Sequence, residues 1–71
     1  MATEIEAPMV GKIFQINIEV GAAVEEDDEI IVLESMKMEN HIFAPSSGTV
    51  KEIKCQIGDV VNQGDILAII E

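Results

Sequence analysis

The sequence predicts an all-β fold made of two similar halves, and three observations carry that expectation. Hydrophobic residues are 48% of the 71 positions, with no Trp or Tyr and two Phe, so the apolar content is mostly Ile and Val. Such β-branched side chains favour strands. The hydrophobic period is two wherever a period is visible, and no window has helical periodicity. Finally, residues 5 to 34 lie over residues 42 to 71 without a gap, at an offset of 37. That overlay pairs Ile5 with Ile42, Ala7-Pro8 with Ala44-Pro45, Gly11 with Gly48, Ile16 with Ile53, Gly21 with Gly58, Val24 with Val61, Asp28 with Asp65 and Glu34 with Glu71. Neither half is able to close a core alone, so the two are expected to pack face to face about a pseudo-twofold axis, as one domain over residues 1 to 71.

Along the chain, the repeated turn chemistry sets the elements. Ala7-Pro8 and Ala44-Pro45 belong at strand ends or edges, because proline lacks the ladder donor and holds the preceding residue extended. Gly11 and Gly48 open the next strand. Ile16, Ile18 and Val20 alternate with polar residues, as do Ile53, Cys55 and Ile57, which predicts strands with one buried face and places Ile16 and Ile53 in the core. Ile13 and Val50 fall at an odd spacing from these positions, so a bulge or corner is expected in both halves. Gly21 and Gly58 close those strands where positive φ is cheap. The acidic run Glu25-Glu26-Asp27-Asp28 looks like a helix start, but its counterpart Asn62-Gln63-Gly64-Asp65 contains glycine, and both read as turns before the last strand of each half. Between the halves, Ile30 to Leu33 and Ile42 to Phe43 flank Glu34-Ser35-Met36-Lys37-Met38-Glu39-Asn40, which predicts a β-hairpin with Lys37 at its tip. The repeat also sets Glu71 where Glu34 enters the hairpin, so Lys37 is expected to point away from the termini.

Charge and size narrow the function. Four basic residues against fourteen acidic ones give a net charge of −10, which disfavours nucleic acid and anionic membranes and favours solubility or a basic docking partner. One small domain leaves no room for a catalytic one, and no Ser/His/Asp constellation or phosphate loop is present. A lone cysteine, Cys55, excludes an internal disulfide and suits a reducing compartment. With no targeting segment or long apolar span in view, a cytoplasmic monomer is the expectation. Cys55 aligns with Ile18 and reads as apolar filling. His41, the one histidine, has only Glu39 beside it, too few ligands for a metal, so a surface or structural place is expected. No metal site is expected.

Glu34-Ser35-Met36-Lys37-Met38 resembles the Glu-Ala-Met-Lys-Met signature of biotinyl domains, and Ala7-Pro8-Met9, Ala44-Pro45, Gly48 and Gly58-Asp59-Val60-Val61 match that family's pattern at the expected distances. The similarity covers essentially the whole chain, most like the stand-alone biotin/lipoyl attachment proteins. It implies a flattened barrel of two four-stranded antiparallel sheets, with biotin joined as an amide to Lys37 by a biotin protein ligase. It also implies a carrier that is itself no enzyme, moving a carboxyl group between biotin carboxylase and carboxyltransferase sites. Lys37 is then a substrate of the ligase. A lysine amine is mostly protonated at neutral pH, so that enzyme must supply the conditions for deprotonation.

The neighbouring residues carry lesser roles in this resemblance. Methionines beside a turn are ordinarily packing; in the biotinyl pattern Met36 and Met38 present adaptable thioethers to the successive enzymes that receive the hairpin. Glu34 contributes to ligase recognition, and Ser35 departs from the commoner alanine. In a regular strand both methionines would lie on the side opposite Lys37. Lipoyl domains share the fold but typically show Asp-Lys-Ala, which makes lipoate on Lys37 the alternative cofactor. An unmodified structural or adaptor barrel is the alternative of another class. The gapless repeat leaves no room for the protruding loop of some bacterial acetyl-CoA carboxylase carriers.

Overall fold

The computed structural model describes residues 2 to 71. The eight strands are β1 (Thr3–Glu6), β2 (Gly11–Ile16), β3 (Ala23–Val24), β4 (Glu29–Ser35), β5 (Met38–Phe43), β6 (Gly48–Ile53), β7 (Val60–Val61) and β8 (Ile66–Ile70). They form two four-stranded antiparallel sheets, ordered β1-β8-β6-β3 and β5-β4-β2-β7. Shifting β1 to β4 by the repeat onto β5 to β8, and back, turns the first order into the second. The sequence repeat is therefore a repeat of topology, and each sheet draws two strands from each half.

Backbone hydrogen bonds lock the halves reciprocally. Ala7 N–H donates to the Asp65 carbonyl at 2.9 Å, and its counterpart Ala44 N–H donates to the Asp28 carbonyl at 2.8 Å. Gly58 N–H donates to the Ile13 carbonyl, and Gly21 N–H to the Val50 carbonyl, both at 2.8 Å. The two acidic or polar runs are turns, closed in the same way: the Asp28 carboxylate accepts from the Glu25 N–H at 2.9 Å, and that of Asp65 from the Asn62 N–H at 2.8 Å. Such side-chain-to-backbone bonds are how Asp stabilises a turn.

The core lies between the inner faces of the sheets. Ile13, Ile30, Ile31, Leu33, Val50, Leu67 and Ile70 are fully enclosed, and among the described residues no polar or charged side chain is buried. The expected corner is present in both halves, as a register slip between Ile13 and Gln15 and another between Val50 and Glu52. These slips turn Ile13 and Val50 inward and leave Phe14 and Lys51 as the matching extra residues.

Two expectations from the alternation need correction. The alternation predicts strands running to Val20 and Ile57, but β2 ends at Ile16 and β6 at Ile53. The backbone beyond leaves the sheet through turns at Gly21 and Gly58, whose φ values are 91° and 97°. Ile18 and Cys55 stay buried, while Val20 and Ile57 are exposed. Ile16 and Ile53 are only half-buried at the edge of the core, because the bulge assigns the deep positions to Ile13 and Val50 instead.

Candidate functional site

The hairpin joining β4 to β5 has a two-residue loop, Met36-Lys37, closed by the pair Ser35 and Met38. Both loop residues have positive φ, 54° and 65°, the mark of a type I′ turn whose twist suits antiparallel strands. Asn-Gly fills such a turn cheaply; an L-residue with a Cβ pays about 1–2 kcal/mol in this conformation. Met and Lys therefore hold these places against local preference, and strain retained at one exposed turn points to use of the side chains. The turn also breaks the alternation, so the rule that would set Met36 and Met38 opposite Lys37 does not apply.

Below the tip the strand is anchored firmly. Ile30, Ile31, Val32 and Leu33 are all buried, so the lysine loop stands on a rigid support two residues from the core. Met36 is 93% exposed and Met38 69%, which excludes packing as their role in the isolated chain. Lys37 and Glu34 are exposed too. Among the described residues no carboxylate lies within ion-pair distance of Lys37, since the salt bridges are those of His41 and of Lys51. Its amine is open to an incoming enzyme. Glu34 pairs in register with Glu39 on one side and Lys12 on the other, and so sits at the base of the hairpin rather than at its tip.

Gly11 has a second duty here. A Cβ at this position would lie 2.7 Å from the Glu34 carbonyl oxygen and 2.9 Å from Leu33 Cγ, so glycine lets β2 approach the base of the hairpin closely.

The remaining candidates fall outside the hairpin tip. His41 is on the surface, its Nδ1 hydrogen-bonded to Glu29 and its Nε2 3.8 Å from Glu39, and among the described residues no group of three metal-ligating side chains converges. Cys55 is buried; desolvation, and then the charge of Asp59, push its thiol above the usual range, which makes it a poor nucleophile.

The sequence reading missed a groove of about 370 Å³ beside the hairpin base, lined by Lys12, Ile13, Phe14, Glu34, Ile57 and Gly58. A signal for it exists in the repeat: Phe14 aligns with Lys51, at a place that otherwise corresponds.

Comparison with known proteins bears on the family and the fold. The sequence profile of the family described as "Biotin-requiring enzyme" matches residues 3–70. The human mitochondrial propionyl-CoA carboxylase alpha chain is 43% identical over 94% of this chain, which spans 9% of that protein. The Bacillus subtilis biotin/lipoyl attachment protein is 43% identical over 89% of this chain and 86% of its own length. Among solved structures, the Kluyveromyces lactis urea carboxylase superposes with a TM-score of 0.93 at 34% identity, covering all of this chain and 6% of that one. Coverage of almost every described residue, by a profile and by a relative of similar length, shows that this chain belongs to the biotin-requiring family of biotinyl and lipoyl attachment domains.

Proposed function

We propose that the chain is a carrier for biotin held as an amide on Lys37, and that it moves a carboxyl group between a biotin carboxylase site and a carboxyltransferase site. The observation that carries this reading is an exposed, unpaired lysine in a strained Met-Lys turn at the tip of a rigid hairpin, in a chain of the biotin-requiring family. Bound biotin supplies a ureido nitrogen able to accept and release a carboxyl group. The protein supplies placement, as cofactor modules do. β4 and β5 hold the attachment point clear of the barrel, and a flexible arm on a rigid base gives each partner site a high local concentration of the carried group.

Attachment is the work of a biotin protein ligase. The Lys37 amine, deprotonated in the ligase site, attacks the acyl carbon of biotinyl-adenylate; an amide bond forms, the acyl–phosphate bond breaks, and AMP leaves. Met36 and Met38 give that enzyme and the two carboxylase sites an adaptable apolar surface, and Glu34 a charged contact at the hairpin base. The relatives that are parts of carboxylases, such as the propionyl-CoA and urea enzymes, support carboxylase components as partners. The chain is read as a monomeric module of the cytoplasm.

Intact mass of the protein from cells containing an active ligase, with peptide mapping across residues 34 to 40, tests the reading. One biotin on Lys37, and none on Lys12, Lys51 or Lys54, is the expected result. Lys37→Ala abolishes attachment while leaving the melting temperature unchanged, because the side chain packs on nothing. A lipoyl adduct would move the function to acyl transfer; an unmodified lysine would leave a plain barrel.

A further inference from the structure

We propose that the groove lined by Lys12, Phe14, Glu34 and Ile57 is an intramolecular docking site for the ureido ring system of the biotin carried on Lys37. The inference rests on the biotin reading above and extends it to where the carried group resides between visits to its partners.

The repeat provides an internal control. Phe14 and Lys51 are the matching bulge residues, Glu34 and Glu71 the matching strand-end carboxylates, and Ile57-Gly58 matches Val20-Gly21. At the second of these places Lys51 Nζ reaches Glu71 Oε2 at 3.0 Å, and the ion pair spans the position. At the first, a half-exposed phenyl ring replaces the ammonium, among the described residues no ion pair reaches Glu34, and a groove of about 370 Å³ stays open. The two places share backbone and differ in side chains. Glu34, at the open one, lies three residues before Lys37.

Its lining suits the ring system. A ureido group has two N–H donors and one carbonyl acceptor, fused to an apolar thioether ring. Glu34 supplies only acceptors and Lys12 only donors. They are register partners on adjacent strands, yet among the described residues they form no ion pair, so both retain free capacity. Phe14, half-exposed, and Ile57, largely exposed, offer an aromatic face and an aliphatic side to the thioether, a favourable sulfur contact. The volume is within the roughly 300–1,000 Å³ of small-molecule sites.

Reach is sufficient. Glu34 and Lys37 are three residues apart across the strand end and the turn, about 10 Å at most at roughly 3.3 Å per residue, whereas lysine stem plus cofactor chain provide about ten single bonds of roughly 1.5 Å. Tethering makes even a weak site well occupied, since a short flexible linker gives an effective concentration on the order of millimolar. Partner enzymes then draw the ring out of a shallow apolar seat, one that shields its ureido nitrogen in the meantime.

The test uses isotope-labelled protein whose intact mass already shows one biotin. Isotope-filtered NOEs between the unlabelled ring protons and Phe14 and Ile57 are expected, and those to Ile57 are absent in Phe14→Lys, which rebuilds the ion-paired arrangement of the other half without touching the core. Phe14→Ser is the companion variant, with the same loss expected at an unchanged melting temperature. A fully biotinylated protein lacking these NOEs, or retaining those to Ile57 in Phe14→Lys, overturns the docking site and leaves the carrier intact. Shifts at Phe14 and Ile57 that arise on adding ligase, and not on biotinylation, assign the groove to that partner and overturn it as well. A mass without biotin removes carrier and docking site together.

Discussion

Glu34 and Glu71 occupy the same place in the two halves, one leading into the lysine hairpin and the other ending the last strand. Around Glu71 the structure is closed, because Lys51 pairs with the carboxylate. Around Glu34 it is open, with a strained turn above, an unpaired lysine at the tip and a groove alongside. The difference teaches where selection for folding stops. What the halves share is the barrel; what separates them is a few exposed side chains and a two-residue loop.

The strongest way to break that comparison is to damage the shared part. Ile13→Asp and Val50→Asp each bury an unpaired carboxylate at a fully enclosed position, with a penalty above about 4 kcal/mol, comparable to the whole stability of a domain this small. Both variants should be unfolded by circular dichroism. If one half tolerated the change, the equivalence of the two bulges would fail. Ile16→Asp and Ile53→Asp, at half-buried sites, should be milder.

A finer contrast uses the close-approach glycines. Gly11→Ala drives a methyl into a backbone oxygen at 2.7 Å, whereas Gly48→Ala first meets the Ile70 side-chain methyl at 2.7 Å and the Glu71 oxygen at 3.0 Å. Strain of this kind costs about 1–3 kcal/mol, and Gly11→Ala should lie at the upper end, since its backbone oxygen is 2.7 Å away whereas the one facing Gly48 is 3.0 Å away. Chemical denaturation of the pair would rank them. The reverse order would mean that the hairpin base is the softer of the two places.

Relief of the turn sharpens the contrast from the other side. Met36→Asn places a residue tolerant of positive φ in the first loop position and should stabilise the fold by up to about 1 kcal/mol. It should also slow biotin attachment by the ligase. A variant that is more stable and modified equally fast would deprive Met36 of any role beyond the turn.

The smallest effect concerns Cys55 against its counterpart Ile18. Burial raises the thiol in the folded state above its ordinary value of 9.0, so the unfolded chain loses that proton first. Stability is therefore unaffected by this group at neutral pH and falls as pH rises above about 9, through the interval up to the raised folded value. Cys55→Ile should flatten that alkaline slope, read from denaturation midpoints against pH, and native Cys55 should react with a thiol reagent only slowly.

Much of the fold was legible because turn chemistry is local and occurs twice: Ala-Pro, the positive-φ glycines and the Asp-capped turns each had a counterpart to confirm them. Lys37 was legible for the same reason, as the centre of the one stretch that the repeat does not duplicate. The limits of β2 and β6 were not, since alternation at Ile18 and Cys55 continues after the strands have ended. Burial there comes from loops folding back over the core, which a period of two cannot distinguish from a strand.

Asp27 shows the same division: only its equivalence to Gly64 made it a turn residue, and the structure gives it a φ of 72°. By itself, then, the chain's own pattern determined an all-β repeat with a lysine hairpin at its centre, because hydrophobic period and turn propensity act between near neighbours. Tertiary structure decided which isoleucines lie deepest, that Met36 and Lys37 adopt left-handed backbone, and that Phe14, Ile57, Lys12 and Glu34 meet around one groove. Those outcomes depend on bulges, cross-strand register and contacts between segments far apart in sequence, where only the folded chain brings the residues together.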